Sequence, residues 1–453
     1  MGNITLGQAA LWCGGHVEEK YADMVFQGAG NDSRKILPGQ LFIALEGVRD
    51  GHEFIPMALE NGAVAALCKH TVGDHPAIVV EDPRIALGKI AAAYRQTLNM
   101  KVVGVTGSVG KSTTKEMIAM ALEGDYKVSK TPANHNNDIG MPMAILAMPE
   151  DTQIAVLEMG MNHFGEIAYL SDIARPDVAV IVNIGTMHIE HLGSRKGILQ
   201  AKLEILEGMK SNGKAFFNGD DDMLWGSRED ISCRAAWFGK ENSEVDVRGL
   251  VLSRNNGKLC FQVASEEDVF TVDLPLEGDH YIVDALAAVS VAMYFDVAPQ
   301  RISQRLGAFR NMEGRQEIFT AKECTIIKDC YNAGPESMAA ALQVLKNRAG
   351  RRIAVLGDML ELGDRAPQEH EKVGALAADC ADVLLSYGPH SRYMLEGAWS
   401  AGMPKERTAM FDDRQQMALF LRQICSAGDV LLFKGSHGMH MELVLESFLN
   451  EER

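Results

Sequence analysis

Residues 101–122 read KVVGVTGSVGKSTTKEMIAMAL: an apolar run, a glycine loop and a helical pattern in immediate succession. A strand that turns through glycines into a helix amino terminus aims freed backbone N–H groups and the positive end of the helix dipole at one point, which makes an anion site. Within Gly104-Val105-Thr106-Gly107-Ser108-Val109-Gly110-Lys111-Ser112, Lys111 supplies a point charge for phosphate oxygens and Ser112 a hydroxyl for Mg²⁺. Val105 stands where the usual phosphate loop has its first glycine. The plainer reading, a tight strand-to-helix turn with an exposed lysine, is set aside by this local context.

That unit sits inside a longer alternation. Before it, residues 32–70 pair a short apolar strand, LFIAL, with a helix-like stretch ending at Asn61-Gly62, and a strand at 77–80 and an alanine-rich helix at 85–97 follow. After it come the apolar runs 154–160, 178–185 and 215–221, rich in Val and Ile, as in strands of a parallel sheet buried on both faces. Residues 245–275 look like short antiparallel strands with polar turns such as Asn255-Asn256-Gly257, and the helix HYIVDALAAVSVAMYF leads on to Gly314-Arg315. Beyond that point CTIIKDCYN, RRIAVLGDML, ADVLLSYG and DVLLFKGSHG each end an apolar strand in a polar or glycine-rich loop. A chain of 453 residues exceeds one ordinary core, so three α/β domains are expected: a small one over 1–98, a parallel-sheet phosphate-loop domain over 99–313, and a Rossmann-like domain over 314–453.

A formal net charge of -17 repels phosphodiester backbones and anionic membranes, so nucleic acid is not the expected partner, whereas a local basic pocket for a nucleotide is allowed. The eight cysteines are scattered without a Cys-x-x-Cys pair, which suits a reducing compartment. No run approaches the ~20 apolar residues of a membrane span, and the first residues lack the pattern of a secretory signal. A cytoplasmic protein without membrane insertion is expected.

A phosphate loop alone suits many nucleotide-binding classes, so the neighbouring strand ends must discriminate. Glu158 closes the run VLEMG and His188 lies in NIGTMHIEH, both where the ligand crevice of an open α/β sheet forms. Glu158 is either a Mg²⁺ ligand or an exposed carboxylate at a strand terminus. His188 alone is evenly balanced between ligand and structure, and the phosphate loop tips it toward the site. His191 reads as surface, and Lys202 in QAKLE reads by default as a solvated helix lysine.

The ordered segments TGSVGKST, TPANHNNDIGMP, LEMGMNHFGEI, NIGTMHIEHLGS and AKLEI together resemble the Mur ligase superfamily, over nearly the whole chain. The segment DSRKILPGQLFIALEGVRDGHEFIPMALENGA resembles that superfamily's UDP-binding domain. DCYNAGPESM at 329–338 and LGDMLELGD at 356–364 look like the type that adds D-alanyl-D-alanine, and the DNPR-type signature of the third-residue-adding type is absent. The resemblance implies an ATP-dependent, ADP-forming ligase of cell-wall precursor synthesis, serving cell shape and division. It would join D-alanyl-D-alanine to UDP-N-acetylmuramoyl-tripeptide and work as a monomer.

By the same resemblance, Thr106, Gly107, Ser108, Val109, Gly110, Lys111, Ser112 and Thr113 hold the ATP phosphates. Ser112 and Glu158 bind one Mg²⁺ and His188 a second, and Lys202 matches a lysine that becomes a metal-binding carbamate. Asn134 and Asn137 fall in an asparagine motif beside the transferred phosphoryl group, Asn137 being counted as catalytic with Lys111, His188 and Lys202. His280 and Asp284 lie on the adenine side, Arg315 faces the γ-phosphate, and Asp329 binds ribose. Ser33, Arg34, Tyr331, Asn332 and Lys434 are the implied substrate contacts. The chain departs from the family pattern at Asp284, where an amide is usual, at Lys328 and Gly334, and at His437 and His440, where arginines are usual. A carboxylate only accepts hydrogen bonds and a histidine lacks the permanent fork of arginine. The rival readings are a third-residue-adding or folyl-polyglutamate ligase of the same superfamily and a nucleotide-binding homologue that makes no bond.

Overall fold

A computed structural model of the chain describes residues 3–71, 73–255 and 257–450. Its centre is a nine-stranded sheet in the order 269–274, 258–264, 247–255, 234–239, 214–218, 178–181, 101–106, 154–158, 128–130. From Val128–Lys130 across to Val247–Asn255 neighbouring strands run parallel, and the last three strands are antiparallel to one another. Asn256, in the turn expected between two of them, lies outside the described residues. Ile154–Glu158 and Val178–Ile181 are buried throughout, and Lys101–Thr106 is buried except at Lys101, so these strands carry Val, Ile and Leu with few interruptions.

Register fixes what this sheet presents. Glu158 pairs with Val105 and Ile181 with Thr106, so the three strands finish at one edge. The strand Lys101–Thr106 lies between one neighbour that comes later in the chain on each side, a place where connections leave in opposite directions and a crevice opens. The helix Lys111–Leu122 starts there, after Gly110 at φ +83°, a left-handed conformation that glycine adopts without strain.

The amino-terminal residues build a five-stranded sheet, ordered 16–17, 77–79, 65–68, 41–43, 29–30 and parallel except at its first pair. Its helix Pro83–Thr97 is capped by the Asp82 side chain, which accepts from Arg84 N and Ile85 N, with proline in the first turn. Buried Arg95 from this helix donates to Ala174 O at 2.8 Å, joining the amino-terminal unit to the central one.

The carboxyl-terminal residues form a six-stranded sheet in the order 317–321, 324–329, 430–434, 352–357, 383–387, 408–411, parallel except for its first strand. Asp329 and Lys434 are register partners at the ends of adjacent strands. Among the described residues no helix is long and apolar enough to cross a membrane.

Candidate active site

The edge of the central sheet and the carboxyl ends of the strands Cys324–Asp329 and Val430–Lys434 face one cavity of about 600 Å³. It gathers Ser108, Val109, Gly110, Lys111, Ser112 and Thr113 of the loop, Asn134 and Asn137, Glu158, His188, His280 and Asp284. From the other sheet come Arg315, Asp329, Tyr331, Asn332 and Lys434. Thr106 is buried beneath, its hydroxyl donating to Met159 O at 2.9 Å, and Gly107 is buried beside it.

The loop is shaped by an amide that sequence reasoning did not single out. Asn183 Oδ1 accepts from Ser108 N at 3.0 Å and from Val109 N at 2.9 Å, while its Nδ2 donates to Val109 O at 2.9 Å. Lys111 Nζ donates to the loop's own carbonyls, Gly107 O at 2.8 Å and Ser108 O at 3.2 Å. Burial lowers the Lys111 pKa, Glu158 opposes that shift, and Arg315 adds to it. A phosphate entering the loop would give this ammonium a stronger, charged acceptor than two carbonyls.

Glu158 is 2 % exposed at its strand end. Asn136 Nδ2 donates to Oε1 at 2.9 Å and Lys115 Nζ stands 3.8 Å from Oε2, which has no hydrogen-bond partner. A buried carboxylate oxygen left this way is suited to a cation. Ser112 and His188 line the same cavity, so the hydroxyl and carboxylate oxygens fit Mg²⁺ on their chemistry, with an imidazole beside them. His188 has φ +62° and its Nδ1 lies 2.7 Å from Glu361 Oε2 without hydrogen-bond alignment, and the nearness of this imidazole holds the Glu361 carboxyl below its ordinary range.

Lys202 differs from its default reading as a solvated helix residue. It lies in the last turn of Arg195–Leu203 with 2 % of its surface exposed, and burial first, then the charge of Lys111, push its pKa well below the ordinary lysine value. A neutral amine is the form that adds CO₂ to become a carbamate.

Asp284 meets the loop from below. Thr114 Oγ1 donates to its Oδ1 at 2.9 Å, and a side chain at Gly110 would run into the same carboxylate. Burial raises the Asp284 pKa to about 7, against the Thr114 hydrogen bond and the Arg315 charge. Burial likewise lowers His280 to about 4, so the imidazole is neutral where it stands between the cleft and a second cavity of about 510 Å³ lined by Arg254, Glu277 and Arg348.

Across the cleft, Arg315 Nη2 donates to Ser112 Oγ at 3.0 Å and its guanidinium stacks 4.1 Å from the Tyr331 ring centre. Lys434, itself buried, donates to Asp329 Oδ2 at 2.6 Å and to Asn332 O at 3.0 Å. Asn137 Oδ1 accepts from Gly140 N at 2.8 Å, fixing the turn before the helix Gly140–Leu146. His437 lines the cleft, and His440 instead pairs with Glu442 at 3.0 Å.

Two of the implied substrate residues are not in this cleft. Ser33 is buried, with its hydroxyl on Met57 Sδ at 3.4 Å, and exposed Arg34 pairs with Asp32 at 2.9 Å. Besides Asn183, the residues missed were Asn136, Lys115, Glu336 and Glu361. Asn136 had a signal, the asparagine-rich run 134–137, whereas Lys115 looks like any exposed helix lysine until its burial is seen.

Three family models match the chain: "Mur ligase family, catalytic domain" over residues 25–95, "Mur ligase middle domain" over 105–292, and "Mur ligase, glutamate ligase domain" over 314–437. The chain is 39% identical over 439 residues to the UDP-N-acetylmuramoyl-tripeptide–D-alanyl-D-alanine ligase of Bacillus subtilis, covering 95% of this chain and 94% of that relative. The crystal structure of MurF from Acinetobacter baumannii superposes with a TM-score of 0.91 at 32% identity, over 100% of each chain. The MurF ligase of Thermotoga maritima in complex with ADP gives 0.82 at 31% identity, covering 93% of this chain and 97% of the other. With this likeness running from end to end, and the cleft assembled from the motifs that carry it, the chain belongs to the Mur ligase family, on its MurF branch.

Proposed function

We propose that the chain is the ATP-dependent ligase that joins D-alanyl-D-alanine to UDP-N-acetylmuramoyl-tripeptide, releasing ADP and phosphate, in the synthesis of cell-wall precursors. The observation that carries the reading is the single cleft in which a phosphate loop, buried Glu158 and His188 of one sheet face Arg315, Asp329 and Lys434 of another.

In this reading the tripeptide carboxylate attacks the γ-phosphorus of ATP and ADP leaves, giving an acyl phosphate. The dipeptide amine then attacks the acyl carbon, and a tetrahedral intermediate collapses with loss of phosphate and a proton. Lys111 turns from its loop carbonyls to the phosphates, Arg315 reaches the γ-phosphate from the opposite wall, and Asn134 and Asn137 flank the transferred group. Asp329 receives the ribose hydroxyls, with His280 and Asp284 on the adenine side. Ser112 and Glu158 would hold one Mg²⁺, and His188 with a carbamylated Lys202 a second. When bound, the ions offset the repulsion between the anionic nucleophile and the triphosphate. Burying an acyl phosphate between two sheets keeps water from it.

Ser33 and Arg34 take the UDP-linked substrate and Tyr331, Asn332 and Lys434 the peptide side, with residues 1–98, 99–313 and 314–453 as the three working units. The scattered cysteines and nucleotide-linked substrate suit the cytoplasm, where the chain works as a monomer in this reading.

The test is ATP-dependent phosphate release with UDP-N-acetylmuramoyl-tripeptide, with and without D-alanyl-D-alanine, followed by mass analysis. Release that requires the dipeptide and yields the pentapeptide precursor establishes the reading. Turnover only with a diamino acid and the dipeptide precursor moves the chain to the third-residue-adding type, and silence with both sinks the ligase assignment.

A further inference from the structure

The segment 183–190, running from just after the strand Val178–Ile181 into the start of the short helix Ile189–Leu192, touches both walls of the cleft. Toward the phosphate loop, Asn183 makes the three hydrogen bonds described above and Gly185 N donates to Ser108 Oγ at 2.9 Å. Toward the carboxyl-terminal sheet, Thr186 Oγ1 donates to Glu336 Oε1 at 3.0 Å and His188 Nδ1 lies 2.7 Å from Glu361 Oε2.

Packing leaves no slack on that second side. A side chain added at Gly185 would stand 2.8 Å from the Glu336 carboxyl carbon, and one at Gly363 would stand 3.1 Å from Glu190 Cγ. His188 and Glu361 both hold left-handed backbone, φ +62° and +63°, which residues other than glycine adopt at a cost and keep only where their surroundings over-determine them. Two strained residues from different sheets meet side chain to side chain. With the Glu361 carboxylate 2.7 Å from Nδ1, it is Nε2 that is left to face a cation, and an outer carboxylate beside the other ring nitrogen is the arrangement that orients a ligating imidazole.

We propose that Glu361, seconded by Glu336, is a positioning residue: seating the carboxyl-terminal sheet on segment 183–190 orients the His188 imidazole and, through Asn183 and Gly185, the phosphate loop. The inference rests on the reading of His188 as a cation ligand. It makes the metal side of the site complete only when the carboxyl-terminal sheet is docked, so phosphoryl transfer waits on closure.

The experiment compares full-length wild type with Glu361→Gln, Glu361→Asp and Glu336→Gln. Mn²⁺ binding is followed by paramagnetic resonance in the presence of a non-hydrolysable ATP analogue, alongside kcat, KM for the UDP-linked substrate and thermal melting. Glu361→Gln is expected to weaken Mn²⁺ binding and lower kcat by about 10–100-fold. Its KM for the UDP-linked substrate and its melting temperature should stay near wild type, and Glu361→Asp should recover part of both losses. Glu336→Gln should shift both in the same direction by less. Wild-type Mn²⁺ affinity in Glu361→Gln, or a kcat loss that follows a fall in melting temperature and is no smaller in Glu361→Asp, overturns the proposal. The Mn²⁺ readout needs no dipeptide turnover, so wild type that binds Mn²⁺ and analogue but makes no pentapeptide precursor would count against the ligase reading alone.

Discussion

An amine sealed from water beside a second ammonium is driven toward its neutral form, and Lys202 meets both conditions. If it then carries a carbamate, Lys202→Ala should lose activity on the order of 100-fold, as when one charge-stabilising group is removed, and added short-chain carboxylates should restore part of it. A loss that no carboxylate relieves would remove the carbamate from the site. Asp284 is displaced the other way: its folded pKa of about 7 lies above its ordinary 3.8, so the native state binds the proton more tightly than the unfolded chain. The stability this gives is full below about pH 4 and is lost as pH rises toward 7, at about 1.4 kcal/mol per unit of pKa difference. Asp284→Asn keeps the shape without the ionisation, so melts between pH 5 and 8 should lose that slope and lie higher at pH 8; parallel curves for the two proteins would show that the carboxyl does not set it. Glu158 and Lys111 were legible because strand-end and loop positions announce themselves. Lys202 was marked by the resemblance alone, since one lysine on a helix carries no signal of its burial, and Glu361 was not legible, because what it meets lies 173 positions earlier in the chain.

The phosphate loop acquires its shape from its neighbours. Three of its hydrogen bonds come from the single side chain of Asn183. At about 1 kcal/mol net for each hydrogen bond, Asn183→Ala should weaken binding of an ATP analogue by about 10–100-fold while leaving affinity for the UDP-linked substrate unchanged, as calorimetry on each ligand would show. An equal loss for both ligands would mean general unfolding of the sheet edge. The strands on which this loop stands, 101–106, 154–158 and 178–181, were readable from their unbroken apolar runs. Val128–Lys130, Glu317–Ala321 and Thr408–Phe411 were not singled out: they lie at sheet edges, where one side is solvated and the apolar pattern is diluted. Arg234–Gly239 was also passed over, a strand whose first two residues are exposed.

At the scale of the whole molecule, a handful of polar side chains beside the cleft tie the two larger sheets together, in addition to the contacts of segment 183–190. Arg315 spans the cleft from Tyr331 to Ser112, Gln316 Nε2 donates to Glu277 O at 2.6 Å, and Arg348 pairs with Glu277 at 2.6 Å. The alternation of strands and helices foretold the sheets, but not this seam, which depends on relative placement that no local pattern encodes. A ligand bridging such a seam should stabilise both sides, and the gain should depend on Arg315, whose planar fork and stacking a lysine cannot reproduce. An ATP analogue at 100 times its Kd stabilises a protein by about 2.7 kcal/mol. If Arg315→Lys weakens binding tenfold, the same concentration gives about 1.4 kcal/mol, so the analogue-induced rise in melting temperature should roughly halve while the ligand-free melt stays close to wild type. An undiminished rise would confine nucleotide recognition to the central sheet, and closure would then have to be driven from the His188–Glu361 side alone.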